Sequence, residues 1–295
     1  MRLIERQNID ILRWDNLVQS VSESSVFSLS YYLDNTAENW CIAVSDDYSY
    51  GIAIPYNIRL GIERCYTPVF VRYLEWFGDE KYFEMALKLI KERFLIGDYQ
   101  LKSILNNETH EARVFQTISG EPAINTQARR MIQRAKKAEL LVNDSINFRE
   151  IIEIIKGELT IKIPTLDKES LNRLENLCEA LKNHGCLKVL QVVSDHKIVG
   201  GILLVTFNES LLYLKGTALP DTKQKGGMYL VMHEAIQKAA VANCKFDFGG
   251  SNVSGVQRFN LNLGGKDNIY YRLKWNNSPW WFKLAKKING LWRKK

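Results

Sequence analysis

Two glycine-rich turns in the second half of the chain carry the residue types best suited to chemistry. The first, Asp221-Thr-Lys-Gln-Lys-Gly-Gly227, runs straight into a helix predicted to begin near Met228. Glycines at a helix entry let backbone N–H groups approach an anion, and Lys223 and Lys225 add positive charge. Gln224, Lys225, Gly226 and Gly227 are therefore candidate ligands for a phosphate-bearing cosubstrate; the plainer alternative is a glycine-rich helix entry with solvated lysines. The second turn, Asp247-Phe-Gly-Gly-Ser-Asn252, ends a strand in two glycines, which permit a sharp turn and close approach of backbone to a ligand. Gly249, Gly250 and Asn252 would line its mouth, with Asp247 and Ser251 as candidate catalytic groups, although Asp247 also fits a buried structural carboxylate. Period-two alternation places Tyr213 and Lys215 as lining residues on the strand before the first turn, and Tyr270 could face the same cleft as a third catalytic candidate. Arg258 and Lys266 are the nearest cations after the second turn. Each of these side chains also fits a merely packed or solvated role.

Other chemistries lack support. There is no Gly-x-Ser-x-Gly elbow, and no cysteine has a histidine partner identifiable from sequence. The five cysteines (Cys41, Cys65, Cys178, Cys186, Cys244) never form a Cys-x-x-Cys pair, and the four histidines are dispersed. The expectation is reduced thiols and no metal. Charges at Arg2, Glu5, Arg6, Asp10 and Arg13 interrupt the apolar core a secretory signal needs, and no window approaches a spanning helix, so a cytoplasmic location is expected.

The 295 residues carry 40 Lys and Arg against 33 Asp and Glu, a net charge of +7. That excess is local. Arg129, Arg130, Arg134, Lys136 and Lys137 fall in one short acid-free stretch, and six more cations fall after Pro279, leaving the remainder of the chain net acidic. Arg130, Arg134 and Lys137 recur at helical spacing, a stripe that suits nucleic-acid phosphates or serves as an exposed connector. Residues 279–295 form a candidate basic amphipathic tail. Its apolar face, with Trp281, Ile288 and Trp292, fits the headgroup layer of a membrane at the inner face or the surface of the body.

Hydrophobic residues at 46% allow a large core, and the length predicts two domains. Periodicity predicts helices over 9–21, 27–33 and 82–94, and strands over 40–44, 51–58, 99–105 and 113–119. After a basic helix at 127–139 and another at 147–156, the order returns: helix 167–184, strands 187–194, 198–206 and 211–216, helix 227–242, strand 245–248. The pattern reads as a duplicated α+β unit with mixed, largely antiparallel sheets flanked by helices, spans 1–145 and 146–278 being the two copies.

Three stretches together carry a family likeness. Phe246-Asp-Phe-Gly-Gly-Ser-Asn-Val-Ser-Gly-Val-Gln-Arg-Phe-Asn260 with Leu263-Gly-Gly265 and Tyr270-Tyr-Arg272, Gly226-Gly-Met-Tyr-Leu-Val-Met-His-Glu-Ala-Ile236, and Asn125-Thr-Gln-Ala-Arg-Arg-Met-Ile-Gln-Arg-Ala-Lys-Lys137 resemble the Fem-type aminoacyltransferases, in order along nearly the whole chain. The resemblance implies two tandem GNAT-like acyltransferase domains. It also implies transfer of an activated acyl or aminoacyl group to an amine, such as that of a cell-wall or polysaccharide precursor. The donor would be aminoacyl-tRNA or acyl-CoA as cosubstrate, with no permanently bound cofactor; tRNA would contact Arg130, Arg134 and Lys137. An acyl group that arrives activated needs alignment and oxyanion stabilisation more than a covalent enzyme intermediate. In acetyl-CoA-dependent relatives the phosphate loop reads Arg or Gln, two residues, Gly, one residue, Gly or Ala. Here Gln224 and Gly227 match and Tyr229 does not. Fem-type proteins often carry a lysine where this chain has Asn260. An acetyl-CoA-dependent N-acetyltransferase of a soluble amine and a catalytically silent binding protein are the competing readings.

Overall fold

The structure, a computed structural model, describes residues 1–104, 110–162, 168–250 and 253–280. It divides into two compact units: residues 1–21, 27–112 and 270 onward form the first, residues 22–26 and 113–269 the second. The units thus interleave along the chain, whereas the sequence reading drew consecutive spans.

In the first unit, strands β1 (Arg2–Glu5), β2 (Asn39–Val44), β3 (Gly51–Arg59), β4 (Ile62–Tyr66) and β5 (Ile96–Leu101) accompany helices α1 (Ile11–Gln19), α2 (Ser30–Thr36) and α3 (Phe83–Arg93). Neighbouring strands from β1 to β4 pair antiparallel, and β4 and β5 pair parallel. Asp10 caps α1 by accepting from the Arg13 N–H at 3.2 Å. Phe83, Ala86, Leu87 and Ile90 put a buried stripe on α3. The strand expected over 99–105 lies at Ile96–Leu101 instead, and β1 and β4 were not expected at all.

The second unit repeats this order. It contains β6 (His110–Ile118), α4 (Thr126–Lys137), β7 (Leu141–Ser145), α5 (Arg149–Lys162), α6 (Lys168–Asn183), β8 (Leu187–Ser194), β9 (Lys197–Phe207), β10 (Ser210–Ala218), α7 (Pro220–Gln224), α8 (Gly227–Val241), β11 (Lys245–Asp247), α9 (Ser254–Asn262) and the start of β12 (Lys266–Asn276). Strands β7 to β10 pair antiparallel in sequence, β10 pairs parallel with β11, and β11 pairs antiparallel with β6. The first unit is closed in the same way, β5 pairing antiparallel with Tyr271–Asn276 of β12. Each unit therefore takes its sixth strand from the other half of the sequence. The α+β duplication read from periodicity is present, with the mixed, largely antiparallel sheets expected.

On one face of the second sheet, Ile202, Leu204, Leu211 and Phe246 pack with Ala128, Ile132 and Ala135 of α4 and with Leu230, Val231 and Ala235 of α8. Strand side chains alternate between faces, so Leu203 and Val205 turn to the opposite face. That is the side of α5, whose Ile151 Cδ1 lies 2.4 Å from where a Cβ on Gly201 would sit.

Candidate functional site

The second unit's sheet opens between β10 and β11. The two strands pair over only three residues, Ser210↔Lys245, Leu211↔Phe246 and Leu212↔Asp247. Strand β11 then ends, while β10 continues to Ala218 paired with β9. The pairing with β9 is irregular between Tyr213 and Lys215, where Leu214 is the extra residue of a bulge. Bulges strengthen twist and re-aim side chains, and this one falls just past the point where the parallel pairing with β11 stops. Past the last parallel pair β10 carries Tyr213 and Lys215, which the bulge puts on opposite faces of the sheet where period-two alternation had predicted one, and Gly249 follows the end of β11.

Asp247 is buried, and its Oδ1 accepts from the Gly249 N–H at 2.9 Å, which ties the carboxylate to the turn that follows. Gly249 has φ +78°, and a Cβ there would lie 2.4 Å from the Tyr213 carbonyl oxygen. The glycine lets the turn lie against the chain's own β10; an open face toward a ligand was the sequence reading. Gly250 also adopts a positive φ. Ser251 and Asn252 lie outside the described residues.

The segment Asp221–Gly227, expected as a loop, begins as the helical turn α7, with Pro220 at its first position. Gly226 has φ +91° and packs on α4, a Cβ placed there falling 2.3 Å from the Met131 carbonyl oxygen. Its own N–H donates to the Lys223 carbonyl at 3.0 Å. The first-turn N–H groups of α8, on Gly227, Met228 and Tyr229, are the ones without an intrahelical acceptor. The anion-binding capacity thus lies one residue later than the Gly226–Gly227 pair. Lys225 pairs with Asp221 at 2.7 Å, Gln224 is exposed, and burial lowers the Lys223 ammonium below its ordinary range.

Tyr229, at the position expected to be small, turns toward α9. Its ring centroid lies 4.5 Å from that of Phe259, and its hydroxyl accepts from Asn262 Nδ2 at 3.2 Å. Asn262 Oδ1 in turn accepts from Asn125 Nδ2 at 2.7 Å, and Asn125 caps α4 through its oxygen on the Ala128 N–H. One polar chain therefore joins the entry of α8 to α4 and α9. Gly226 brings the basic helix against the same entry. On α4, Arg129, Arg130, Arg134, Lys136 and Lys137 are exposed, and among the described residues none of them forms an ion pair.

Tyr213 is deeply placed. Burial raises its phenol pKa, and its hydroxyl donates to the Gly216 carbonyl at 3.2 Å. Lys215 is half-buried on β10. Arg258 and Lys266 are exposed. Tyr270 is buried in the first unit, its ring centroid 6.0 Å from that of Tyr73. Trp281, Ile288 and Trp292 lie outside the described residues, and among the described ones no helix is long and apolar enough to cross a membrane.

Sequence reasoning missed a buried amide network. Gln116 donates through Nε2 to Asp267 at 2.7 Å and accepts on Oε1 from Asn260 Nδ2 at 2.9 Å, while its backbone carbonyl accepts from the Phe248 N–H at 3.0 Å. Asn260, where a lysine was the family expectation, is 2% exposed and holds α9 to β6. Its only sequence signal was an amide among the apolar positions of a short helix.

Residues 164–259 match the family model of the acetyltransferase (GNAT) domain. That match lies within the second unit. Among solved structures, FemX superposes with a TM-score of 0.60 at 12% identity, covering 94% of this chain and 98% of that one. The C-terminal domain of a protein named as a lysylphosphatidylglycerol synthetase, from Agrobacterium fabrum, superposes with a TM-score of 0.60 at 12% identity, covering 90% and 91%. A tandem GNAT protein from the clavulanic acid biosynthesis pathway gives 0.54 at 10%, covering 94% and 99%. No curated protein sequence matches the chain. The superpositions show the fold of two GNAT-like domains in one chain.

Proposed function

We propose that the second unit transfers an activated aminoacyl group from aminoacyl-tRNA to an amine of a cell-wall or polysaccharide precursor. The observation that carries this reading is the opening between β10 and β11 in the same unit as an α8 entry packed against the cation-rich α4. A donor carbonyl seated in that opening would find β10 backbone beyond its last pair with β11, and its phosphates would meet the first-turn N–H groups of α8. Arg130, Arg134 and Lys137 would track the nucleic-acid backbone, so binding would weaken steeply with salt. Asp247, through the turn it holds, positions the acceptor side of the site. The neighbour named as a lysylphosphatidylglycerol synthetase supports aminoacyl transfer by its name.

Acetyl-CoA-dependent N-acetylation is the second reading, favoured by the acetyltransferase description of the matched domain and by Gln224 and Gly227. Here acyl-CoA replaces tRNA at the same helix entry. The protein acts in the cytoplasm, with residues 279–295 resting on the inner membrane face if the acceptor is lipid-linked. Incubating the chain with acetyl-CoA or with charged tRNA, each with candidate amines, identifies the donor that loses its acyl group. Loss from charged tRNA supports the first reading; turnover of acetyl-CoA with no effect of tRNA replaces it with the second. Binding of either donor without turnover by any amine would identify a silent member of the fold.

A further inference from the structure

Lys215 is half-buried, and among the described residues it makes no hydrogen bond and no ion pair. A half-buried ammonium without a partner is costly, and a lysine so placed is the side chain most readily held neutral. Its location gives that property a use. Lys215 pairs with Leu203 and so shares the α5 face of the sheet, whereas Gly216 pairs with Ile202 on the α8 face. The entry of α8 and the lysine therefore lie on opposite faces of one sheet, the lysine on the part of β10 beyond its last pair with β11. The bulge at Leu214 separates Lys215 from Tyr213, which turns its ring to the α8 side.

We propose that Lys215 is the proton acceptor for the incoming amine. The proposal rests on the second unit being the transfer site. The neutral Nζ takes a proton from the acceptor's ammonium, and the freed lone pair forms the N–C bond to the carbonyl carbon of the activated ester or thioester. The oxyanion collapses with rupture of the bond from that carbon to the donor's oxygen or sulfur. That leaving atom takes the second nitrogen-bound proton, and Lys215 returns its own to water. Among the described side chains, the charged groups on neighbouring elements are otherwise engaged or turned away. On α5, Glu150 accepts from Gln191 Nε2 at 3.3 Å and Glu153 pairs with Lys156 at 2.8 Å. On β11, Asp247 is bonded to its own turn, and Lys245 is at the far end of the three-residue pairing. Strand β9 offers only Lys197, at its exposed start, and the His233 and Glu234 of α8 belong to the other face. Burial lowers the Lys215 ammonium pKa from its ordinary value, so the group gains base character as pH rises through that lowered value.

Competitive labelling with trace acetic anhydride across pH, read lysine by lysine by mass spectrometry on the full chain, tests this without any substrate. Lys215 is expected to gain reactivity at lower pH than the exposed Lys188 and Lys197. In turnover, Lys215→Arg keeps the charge and Lys215→Met keeps the length; both are expected to lose about 100-fold or more in rate, and the wild-type rate to fall as pH drops through the Lys215 pKa. A labelling curve that coincides with Lys188 and Lys197, or an Arg variant within about threefold of wild type, overturns the assignment. A shifted curve in a wild-type chain that turns over no donor counts instead against the transfer reading itself.

Discussion

The two units make the same opening and treat it differently. In both, a strand pairs parallel with the next over three residues: Arg64 to Tyr66 with Ile96 to Asp98 in the first unit, Ser210 to Leu212 with Lys245 to Asp247 in the second. In the first unit the chain leaves β4 at once and fills the gap. The Thr67 N–H donates to Asp98, the Leu74 N–H to the Gln100 carbonyl at 2.9 Å, and the Lys102 N–H to the Leu74 carbonyl at 3.0 Å, so residues 67–77 act as an extra partial strand. Val71, Arg72, Tyr73, Leu74, Glu75 and Phe77 are buried there, with Lys102 closing on Glu75 at 2.7 Å and the Tyr32 hydroxyl on the Phe70 carbonyl at 2.6 Å. In the second unit β10 runs six residues past its last pair with β11 and bulges. The duplication thus yields one half in which residues 67–77 fill the gap and one half in which β10 runs on past β11.

The largest effects should come from breaking each device. Leu74 is fully buried, and Leu74→Ala is expected to cost about 2–5 kcal/mol in denaturant unfolding while donor binding at native temperatures stays within about twofold. A matching loss of donor affinity would mean that the first unit shares the work. In the second unit, Gly226→Ala forces a left-handed non-glycine residue against the Met131 carbonyl, with an expected cost of about 2–4 kcal/mol and a donor affinity reduced at least tenfold. Gly61, also at positive φ but facing open space, is the control: Gly61→Ala should cost only about 1 kcal/mol and leave binding alone.

Smaller effects sharpen the contrast. Replacing Arg130, Arg134 and Lys137 by glutamine should leave thermal stability within about 0.5 kcal/mol, because these side chains are exposed and make no ion pair among the described residues. The salt slope of charged-tRNA binding should flatten by roughly two units for the three lost phosphate contacts. An unchanged slope would restrict α4 to a connector. Smallest of all, Lys215→Met should stabilise the fold by about 1 kcal/mol at neutral pH, since it removes a lone ammonium from a half-buried site. The sign follows from its lowered pKa: between that value and the ordinary one the unfolded chain binds the extra proton, so wild-type stability rises with pH and the advantage of Met shrinks.

Apolar periodicity made the duplicated core legible, because β8 to β10 and α8 bury long regular runs. It was silent where burial is uneven. Strand β7 has no buried residue, and β4 alternates Glu63 and Arg64 between apolar neighbours, so neither carried a strand signal. The two glycine turns were found from composition, but what their glycines touch was not: Gly226 meets the Met131 carbonyl and Gly249 the Tyr213 carbonyl, contacts set by partners distant in sequence. The interleaving of the units was likewise hidden, since β6 and β12 are ordinary strands whose pairing partners no local pattern names. The bulge at Leu214 depends on register with β9, and so does the face that Lys215 takes.

Amide hydrogen exchange with a non-hydrolysable aminoacyl-tRNA analogue, repeated with coenzyme A, tests the asymmetry of the two openings most directly. Protection is expected at Gly227 to Tyr229 and along Tyr213 to Ala218, with residues 67–77 exchanging as in the free chain. Protection at residues 67–77 with none along β10 would contradict the account.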